Sequence, residues 1–361
     1  MLVKPSVRAG LLACLLACSR GSATSIPAAA GGAPAPRACD HALLVSVDGL
    51  RSDALIALPP EALPGFTRLR SGASTLNART DPDSTLTLPN HTAMLTGRHV
   101  LGGPGHAWTR NGEPAPGATL HANKGAYVAG LFDVAHDHGL ATAMLVGKTK
   151  FALYDASWDA AHGAADALGA DDGRDKLDLY RVEPDPAALT DALIELFADA
   201  GAGKRLVAFA HYAAPDLVAH ANGWDVTPGS PYMQALVAVD RELGRLIDAI
   251  EASERLRGRT LVVLTADHGG GAPLRSHDQP HMWVDYVIPF LVWSGDALGP
   301  RDLYALNPGT RRDPGLARPR AEDAGPPPIR NGDAGNLVLA ALGLPAVPGS
   351  TIGAAQDLRA R

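Results

Sequence analysis

Short apolar runs rich in Val, Leu and Phe are spaced along the chain and separated by more polar segments. They occupy residues 42–47, 140–146, 205–210, 259–265 and 287–293. Runs of this length and composition predict buried strands of a parallel sheet. Apolar residues with helical spacing lie between or after them, at 88–95, 130–138, 186–198, 231–253 and 331–342. Alternating strands and helices predict a doubly wound, mostly parallel α/β sheet with helices on both faces.

The remaining segments set the predicted domain boundaries. Residues 19–40 are rich in Ser, Ala, Gly and Pro, which is typical of a flexible linker. Residues 300–329 are rich in Pro and Arg with little periodicity, and we expect a surface excursion there. The chain has 361 residues, and we interpret 41–361 as a single catalytic domain.

The N-terminus, residues 1–18, has the pattern of an export signal. Lys4 and Arg8 precede the apolar run AGLLACLLA, which is too short to span a bilayer. LLAC ending at Cys18 resembles a bacterial lipobox, in which the cysteine receives a lipid anchor; an earlier match ends at Cys14. Plain secretion with cleavage near Ser22 is the alternative. Both predict an exported protein, either periplasmic or an outer-membrane lipoprotein of a bacterium.

Charge and cysteine content exclude several classes of function. The net charge of -6 offers no basic surface for nucleic acid. The chain has 3 cysteines, of which only Cys39 lies beyond the leader, so a disulfide framework is not expected. A lone cysteine also excludes thiolate-rich zinc sites, so any metal would be held by histidine and carboxylate. The sequence leaves the oligomeric state open.

Potential metal ligands follow several of the predicted strands. Asp48 ends one apolar run, and Asp267 and His268 follow another. Asp216 and His220 are four residues apart, a spacing that places both on one face of a helix. Each pair alone could be a turn or a capping pair, but together they predict a two-metal hydrolase centre, because ligands bind beyond the carboxyl ends of such strands. His277 completes the set.

Thr87 lies at the start of the predicted helix 88–95. Its hydroxyl could cap that helix. A helix N-terminus also favours an anion, and a threonine bound to a dication becomes a usable nucleophile at neutral pH. The two interpretations differ in their consequence: loss of a cap lowers stability, whereas loss of a nucleophile abolishes turnover.

Five motifs together resemble the alkaline phosphatase superfamily, and most closely its type I phosphodiesterase/nucleotide pyrophosphatase branch. They are VSVDGLR, TLPNHTAMLTG, PDLVAH, TADHG and IPFLVW, and they extend from about residue 42 to 293. The resemblance implies two zinc sites. One would be held by Asp48, Asp267, His268 and Thr87, and the other by Asp216, His220 and His277, with His281 as the alternative late histidine. Manganese or iron would accept the same ligands.

The same resemblance implies the reaction. Thr87 would attack phosphorus in line and form a phosphothreonine that water then hydrolyses. Asn111 is similar to the family asparagine that donates a hydrogen bond to a phosphoryl oxygen, although an exposed turn is the alternative for it. Lys148 and Lys150 follow a strand and would contact the extra charge of a monoester or phosphonate, or else lie in a solvated loop.

The predicted function is therefore hydrolysis of phosphodiester or pyrophosphate bonds in a phosphorylated small molecule. A phosphomonoesterase or a phosphonoacetate hydrolase-like enzyme is the alternative, and an inactive metal-binding secreted protein is a further one. A sulfatase would need Cys or Ser in a Cys/Ser-x-Pro-x-Arg motif, which the segment from Thr87 to His91 lacks. Cofactor-independent phosphoglycerate mutases use serine and are cytoplasmic, which the predicted leader contradicts.

Overall fold

One mixed sheet organises the protein. A computed structural model describes residues 38–168, 173–295, 299–315 and 325–361, and these residues belong to one compact unit. The predicted signal segment 1–18, including Cys18, and the linker up to residue 37 lie outside the described residues. Within the described residues the sheet has 8 strands. They are β1 (His41–Val47), β2 (Ala73–Arg79), β3 (Ala141–Val146), β4 (Leu179–Val182), β5 (Leu206–Tyr212), β6 (Thr260–Thr265), β7 (Val287–Trp293) and β8 (Arg301–Asp302).

The strand order is β4-β3-β5-β1-β6-β7-β2-β8. The central strands β3, β5, β1 and β6 are parallel neighbours, and β1, β5 and β6 are buried along their whole length. This agrees with the predicted α/β sheet, because a parallel strand covered by helices on both faces must be apolar throughout.

The expectation of a parallel strand at 287–293 is wrong in direction. β7 lies antiparallel to both β6 and β2. The segment between β6 and β7 returns the chain to the same edge of the sheet, so the two strands need no crossover. An apolar run carries no information on strand direction, since either arrangement buries it.

Three further strands were not predicted from the sequence. β2 alternates between buried and partly exposed residues and contains Asn77, and β4 is a short strand with half-exposed side chains. β8 has 2 residues and pairs with β2. Strands of this kind lack the continuous apolar run by which the central strands are identified.

The described helices cover both faces of the sheet, as predicted. They are α1 (Pro64–Arg70), α2 (Thr87–Thr96), α3 (Leu120–Lys124), α4 (Leu131–Asp137), α5 (Ala152–Trp158), α6 (Pro186–Ala202), α7 (Ala214–Asn222), α8 (Pro231–Ala252), α9 (Trp283–Tyr286), α10 (Leu303–Leu306) and α11 (Asp333–Ala341). Helices α1, α6 and α7 each pack against α8, while α2, α4 and α11 pack against one another. No helix in the described part of the chain is long and apolar enough to span a membrane.

The expected surface excursion at 300–329 is only partly correct. Residues 316–324 lie outside the described residues, but β8 and α10 belong to the sheet edge. Ile329 is fully buried, and Arg311 is buried in ion pairs with Asp333 and Asp357. The proline and arginine content therefore led to a wrong expectation for part of this segment, because it packs through buried charged pairs and has no periodic apolar pattern.

Candidate metal centre

The predicted ligands converge because they follow neighbouring strands. Lys148 follows β3, Asp216 lies in the helix after β5, Asp48 follows β1, and Asp267 follows β6. These strands are consecutive in the sheet and parallel, so their carboxyl ends share one edge. The fold thereby brings side chains as far apart in the sequence as Asp48 and His268 into one buried cluster.

Asp48, Asp267 and His268 form the first group of potential metal ligands. His268 Nε2 lies 3.1 Å from Asp267 Oδ2 and 3.4 Å from Asp48 Oδ1. Thr87 Oγ1 lies 3.4 Å from the same His268 nitrogen. The structure thus brings together the four residues expected at the first site.

Asp216 and His277, both expected at the second site, form a second group with His268. His220 was expected in this group but lies outside it, and its side chain is 43% exposed. Asp216 Oδ1 lies 3.4 Å from His220 Nε2 and 3.9 Å from His277 Nε2. The rings of His220 and His277 are 5.2 Å apart, and His277 stacks on His268 at 3.5 Å. His281, the alternative late histidine, is exposed, whereas His277 is buried.

Backbone carbonyl groups orient all three histidines. Nδ1 of His268 is 2.8 Å from Gly269 O, Nδ1 of His277 is 2.6 Å from Thr85 O, and Nδ1 of His220 is 2.9 Å from Arg275 O. A carbonyl oxygen can only accept, so Nδ1 carries the proton in each ring. In the neutral ring the lone pair of Nε2 is then directed into the cluster, which is the tautomer that a metal ligand needs.

Each carboxylate also directs one oxygen into the cluster. Asp48 Oδ1, Asp216 Oδ1 and Asp267 Oδ2 are buried and have no hydrogen-bond partner among the described residues. A buried carboxylate oxygen without a partner is costly unless a cation compensates it. Three such oxygens beside three Nε2 atoms fit divalent cations, and histidine and carboxylate ligands accept zinc, manganese or iron.

The electrostatics of the cluster favour positive charge. Burial alone would lower the pKa of His268, yet Asp267 and Asp48 outweigh it and raise that pKa to about 9. Burial raises the pKa of Asp216, and the neighbouring Asp48 carboxylate raises it further. Both pKa values are raised, and neighbouring carboxylates contribute to each shift. The cluster therefore holds an excess of buried negative charge that a bound cation would relieve.

The two predicted lysines occupy different places. Lys148 Nζ lies 2.6 Å from Asp48 Oδ2 and 2.5 Å from Asp216 Oδ2, inside the ligand cluster. Lys150 Nζ instead lies 3.1 Å from Asn111 Oδ1. From the sequence we expected both ammonium groups to face the substrate together, whereas in the structure they lie in different places.

Thr87 is the first residue of α2, and Leu86 is the residue before the helix. Its side chain caps no backbone group there, and its hydroxyl points instead toward His268. Asn111 Oδ1 accepts a hydrogen bond from Leu88 N at 3.0 Å. Asn111 therefore lies beside Thr87 at the N-terminus of the helix, with its NH₂ group left as a donor.

Two buried histidines beside the cluster were not singled out from the sequence. His211 Nε2 lies 2.9 Å from Asp48 Oδ2. His91 lies 2.8 Å from Thr87 O through Nδ1 and 2.8 Å from Ser46 Oγ through Nε2. A polar residue within an otherwise apolar strand, as at His211, was the available signal.

Asp285 holds the loop that carries His277. Its carboxylate accepts hydrogen bonds from Ala272 N at 3.2 Å and Gln279 N at 3.1 Å, across the loop. Burial raises the pKa of Asp285 to about 7, against the opposing effect of these donors. The loop is thus fixed at both ends, which keeps His277 against the sheet edge.

Comparison with known proteins agrees with this architecture. The family model described as Sulfatase matches residues 41–309. A segment of 137 residues is 34% identical to the 2,3-bisphosphoglycerate-independent phosphoglycerate mutase of Halobacterium salinarum, covering 37% of this chain. That segment spans only 25% of the mutase.

Solved structures share the fold at low identity. An alkaline phosphatase superfamily protein from Vibrio parahaemolyticus superposes with a TM-score of 0.55 at 14% identity, covering 86% of this chain and 68% of that one. The lipoteichoic acid synthase LtaP from Listeria monocytogenes gives 0.56 at 11% identity, covering 87% and 75%. The C-terminal periplasmic domain of EptC from Escherichia coli gives 0.51 at 14% identity, covering 88% and 84%.

Proposed function

Because the chain belongs to the sulfatase family of the alkaline phosphatase superfamily, we propose that it is a two-metal phosphoesterase with Thr87 as its nucleophile. Superfamily members are hydrolases or mutases that act on phosphate or sulfate esters. The proposed substrates are phosphodiesters or pyrophosphates of small molecules. Zinc is the proposed metal.

The orientation of the ligand atoms is the observation that carries this proposal. Three Nε2 lone pairs and three carboxylate oxygens without partners face one buried cluster, and the Thr87 hydroxyl lies beside them. A protein of this fold that had lost its activity, or a simple binding protein, has no physical requirement for a hydroxyl beside these ligands.

The proposed reaction assigns roles to the surrounding residues. Two bound divalent cations would supply positive charge for the phosphoryl oxygens and lower the pKa of a coordinated hydroxyl. Thr87 Oγ1 loses its proton and forms the bond to phosphorus as the bond to the leaving alcohol or phosphate breaks, and the leaving oxygen takes up a proton. Water then cleaves the phosphothreonine and restores the hydroxyl. Asn111 donates its NH₂ group to a phosphoryl oxygen.

The nucleophile argues against two relatives' reactions. The segment Thr87-Leu88-Pro89-Asn90-His91 has neither the Cys or Ser nor the Arg expected in a sulfatase. It likewise has no serine at the position of Thr87, which distinguishes it from the mutases. Phosphate ester hydrolysis therefore remains the better supported reaction.

The alternative substrate is a phosphomonoester or a phosphonate. Lys150 supports it, because its ammonium group is held by Asn111 beside the nucleophile and would neutralise an additional negative charge. An exported location is also proposed, on the leader pattern at residues 4–18. A lipid anchor at Cys18 belongs to the same proposal.

The zinc-loaded protein should be assayed with bis-p-nitrophenyl phosphate and p-nitrophenyl phosphate, alongside its Thr87→Ala variant. We expect Thr87→Ala to retain the fold and both metals but to lose activity by about 10³-fold or more, as nucleophile removal typically does. Diester preference would support a phosphodiesterase, and monoester preference would favour the alternative.

Thr92→Ala is the matched control, since this α2 threonine bonds to Leu88 O and Tyr154 Oη and belongs to neither group of potential ligands. Substantial turnover by Thr87→Ala with its metals in place would contradict the nucleophile assignment. If that variant lost its metals, it would be inactive for a reason other than the missing hydroxyl. Elemental analysis therefore accompanies each assay.

A further inference from the structure

Lys148 contacts the carboxylates of both proposed metal sites at once. Its ammonium nitrogen lies 2.6 Å from Asp48 Oδ2 and 2.5 Å from Asp216 Oδ2. Asp48 belongs to the first group of ligands and Asp216 to the second. The lysine side chain is 12% exposed, and the two carboxylates are essentially inaccessible. One buried positive charge therefore bridges two buried negative ones.

The contacts divide the oxygens of each carboxylate by role. In Asp48 and in Asp216 the Oδ2 atom bonds to Lys148, while the Oδ1 atom is buried without a partner. His211 Nε2 adds a second donor to Asp48 Oδ2 at 2.9 Å. A carboxylate held by one oxygen in this way can present only the other to a cation, so Lys148 sets which oxygen faces each site.

The backbone around Lys148 is built for this position. Gly147 N donates to His211 O at 3.1 Å and lies 3.3 Å from His211 Nδ1. A Cβ on Gly147 would lie 2.7 Å from the Cβ of Ala213, so only glycine lets the end of β3 approach the end of β5 this closely. The approach places Lys148 directly opposite Asp216.

Lys150 is differently placed, although it is only two residues away. Its ammonium nitrogen bonds to Asn111 at the Thr87 end of the site. The intervening Thr149 begins a 3₁₀ turn and its hydroxyl bonds to Glu113, which turns the chain between the two lysines. The pair therefore has two functions instead of one.

We infer that Lys148 is a positioning residue that aligns Asp48 and Asp216 together and so couples occupancy of the two metal sites, while Lys150 alone of the pair faces the phosphoryl group. This inference rests on the proposed two-metal centre. It assigns Lys148 to the metals and not to the charge of the substrate. Without its ammonium group, the two buried carboxylates would repel each other across the cluster. Each Oδ2 atom would also lose the hydrogen bond that Lys148 donates.

The test measures zinc binding by the full-length protein through calorimetric titration and elemental analysis. The variants are Lys148→Met and Lys150→Met, which remove the same charge two residues apart. We expect Lys148→Met to lower the affinity for both zinc ions by about 10- to 100-fold, the usual effect of losing a residue that orients metal ligands. Lys150→Met should bind two zinc ions as the unmodified protein does.

Activity provides a second readout. Lys148→Met should lose diester and monoester hydrolysis in equal proportion and recover part of both at high zinc. Lys150→Met should lose monoester hydrolysis more than diester hydrolysis. Unchanged zinc affinity in Lys148→Met, or weakening of one ion only, would overturn the inference.

Lys148→Gln serves if Lys148→Met does not fold. It keeps a polar side chain of similar length without the charge, and the same loss of affinity for both ions is expected. An unmodified protein that binds two zinc ions without hydrolysing any phosphate ester would contradict the proposed function alone. If the unmodified protein hydrolyses phosphate esters and folded Lys148→Gln still binds zinc normally, this inference alone is contradicted.

Discussion

His277 and His281 lie four residues apart in the loop between β6 and β7, and they have different environments. His277 is buried, stacks on His268 and bonds through Nδ1 to Thr85 O. His281 is exposed. Sequence spacing alone left either of them as the late ligand, because a loop of this length can present both.

Replacement of His277 by Ala should therefore empty the second metal site, while His281→Ala should keep both metals. The reason is that the Nε2 atom of His277 lies 3.9 Å from Asp216 Oδ1, so its removal deletes one ligand of that site. Elemental analysis of the two purified variants measures this directly. Equal metal content in both variants would show that His277 is not a ligand.

Lys148 and Asn111 illustrate what a motif conveys at the scale of the residue. Each lies near the Thr87 site, as the resemblance implied, but their partners differ from what the motif suggests. Lys148 bonds to carboxylates, and Asn111 bonds to the backbone of Leu88 and to Lys150. Residue type and spacing locate a side chain, whereas its hydrogen-bond partners depend on neighbours far along the sequence.

Helices α1 and α8 are in close contact at Gly65. Gly65 N and Phe66 N, at the start of α1, donate to the buried Asp240 carboxylate of α8 at 3.1 and 2.7 Å. Leu63, the residue before α1, provides no side-chain cap, so Asp240 satisfies the N-terminus in its place. A Cβ on Gly65 would lie 2.3 Å from Asp240 O, which leaves room for glycine only.

Gly65→Ala should accordingly lower the free energy of unfolding by about 1–3 kcal/mol, the usual cost of overpacking. Gly244→Ala, on the facing helix, is the control, since a Cβ there meets nothing within 4 Å. It should be neutral or raise stability by up to about 1 kcal/mol, because alanine favours the helix. Chemical denaturation measures both, and equal effects would contradict the close packing.

The sheet also shows how an element's sequence relates to its position. The central strands are apolar throughout because helices cover both of their faces. β2 and β4 mix polar and apolar residues because they lie toward the edges, so their sequences resemble loops. Burial on one face or both thus determines which strands can be identified without a structure.

At the scale of the whole molecule, the candidate metal centre exists only when the domain is folded. Its ligands come from the ends of β1 and β6, from α7, and from the loop before β7. An unfolded chain separates Asp48 from His277 by more than 200 residues. Zinc should therefore bind the native state far more tightly than the unfolded state.

Zinc addition should consequently raise the unfolding temperature, by an amount that grows with its free concentration. Native-state binding stabilises by about 2.7 kcal/mol for each site at a free concentration 100 times its dissociation constant. Asp216→Ala should reduce this gain, since one site loses its carboxylate. Differential scanning calorimetry with zinc and with a chelator measures both proteins, and an identical gain would contradict the role of Asp216.

The α/β class, the central strands and the residues that converge beyond their ends could be predicted from the sequence. This is possible because apolar runs and polar residues at strand ends are local features. The antiparallel direction of β7 and the packing of the segment around Arg311 became evident only in the folded protein. So did the different environments of His277 and His281 and the contact of Lys148 with two carboxylates. Those features depend on which distant groups come within a few ångströms of each other, and that is a property of the folded sheet.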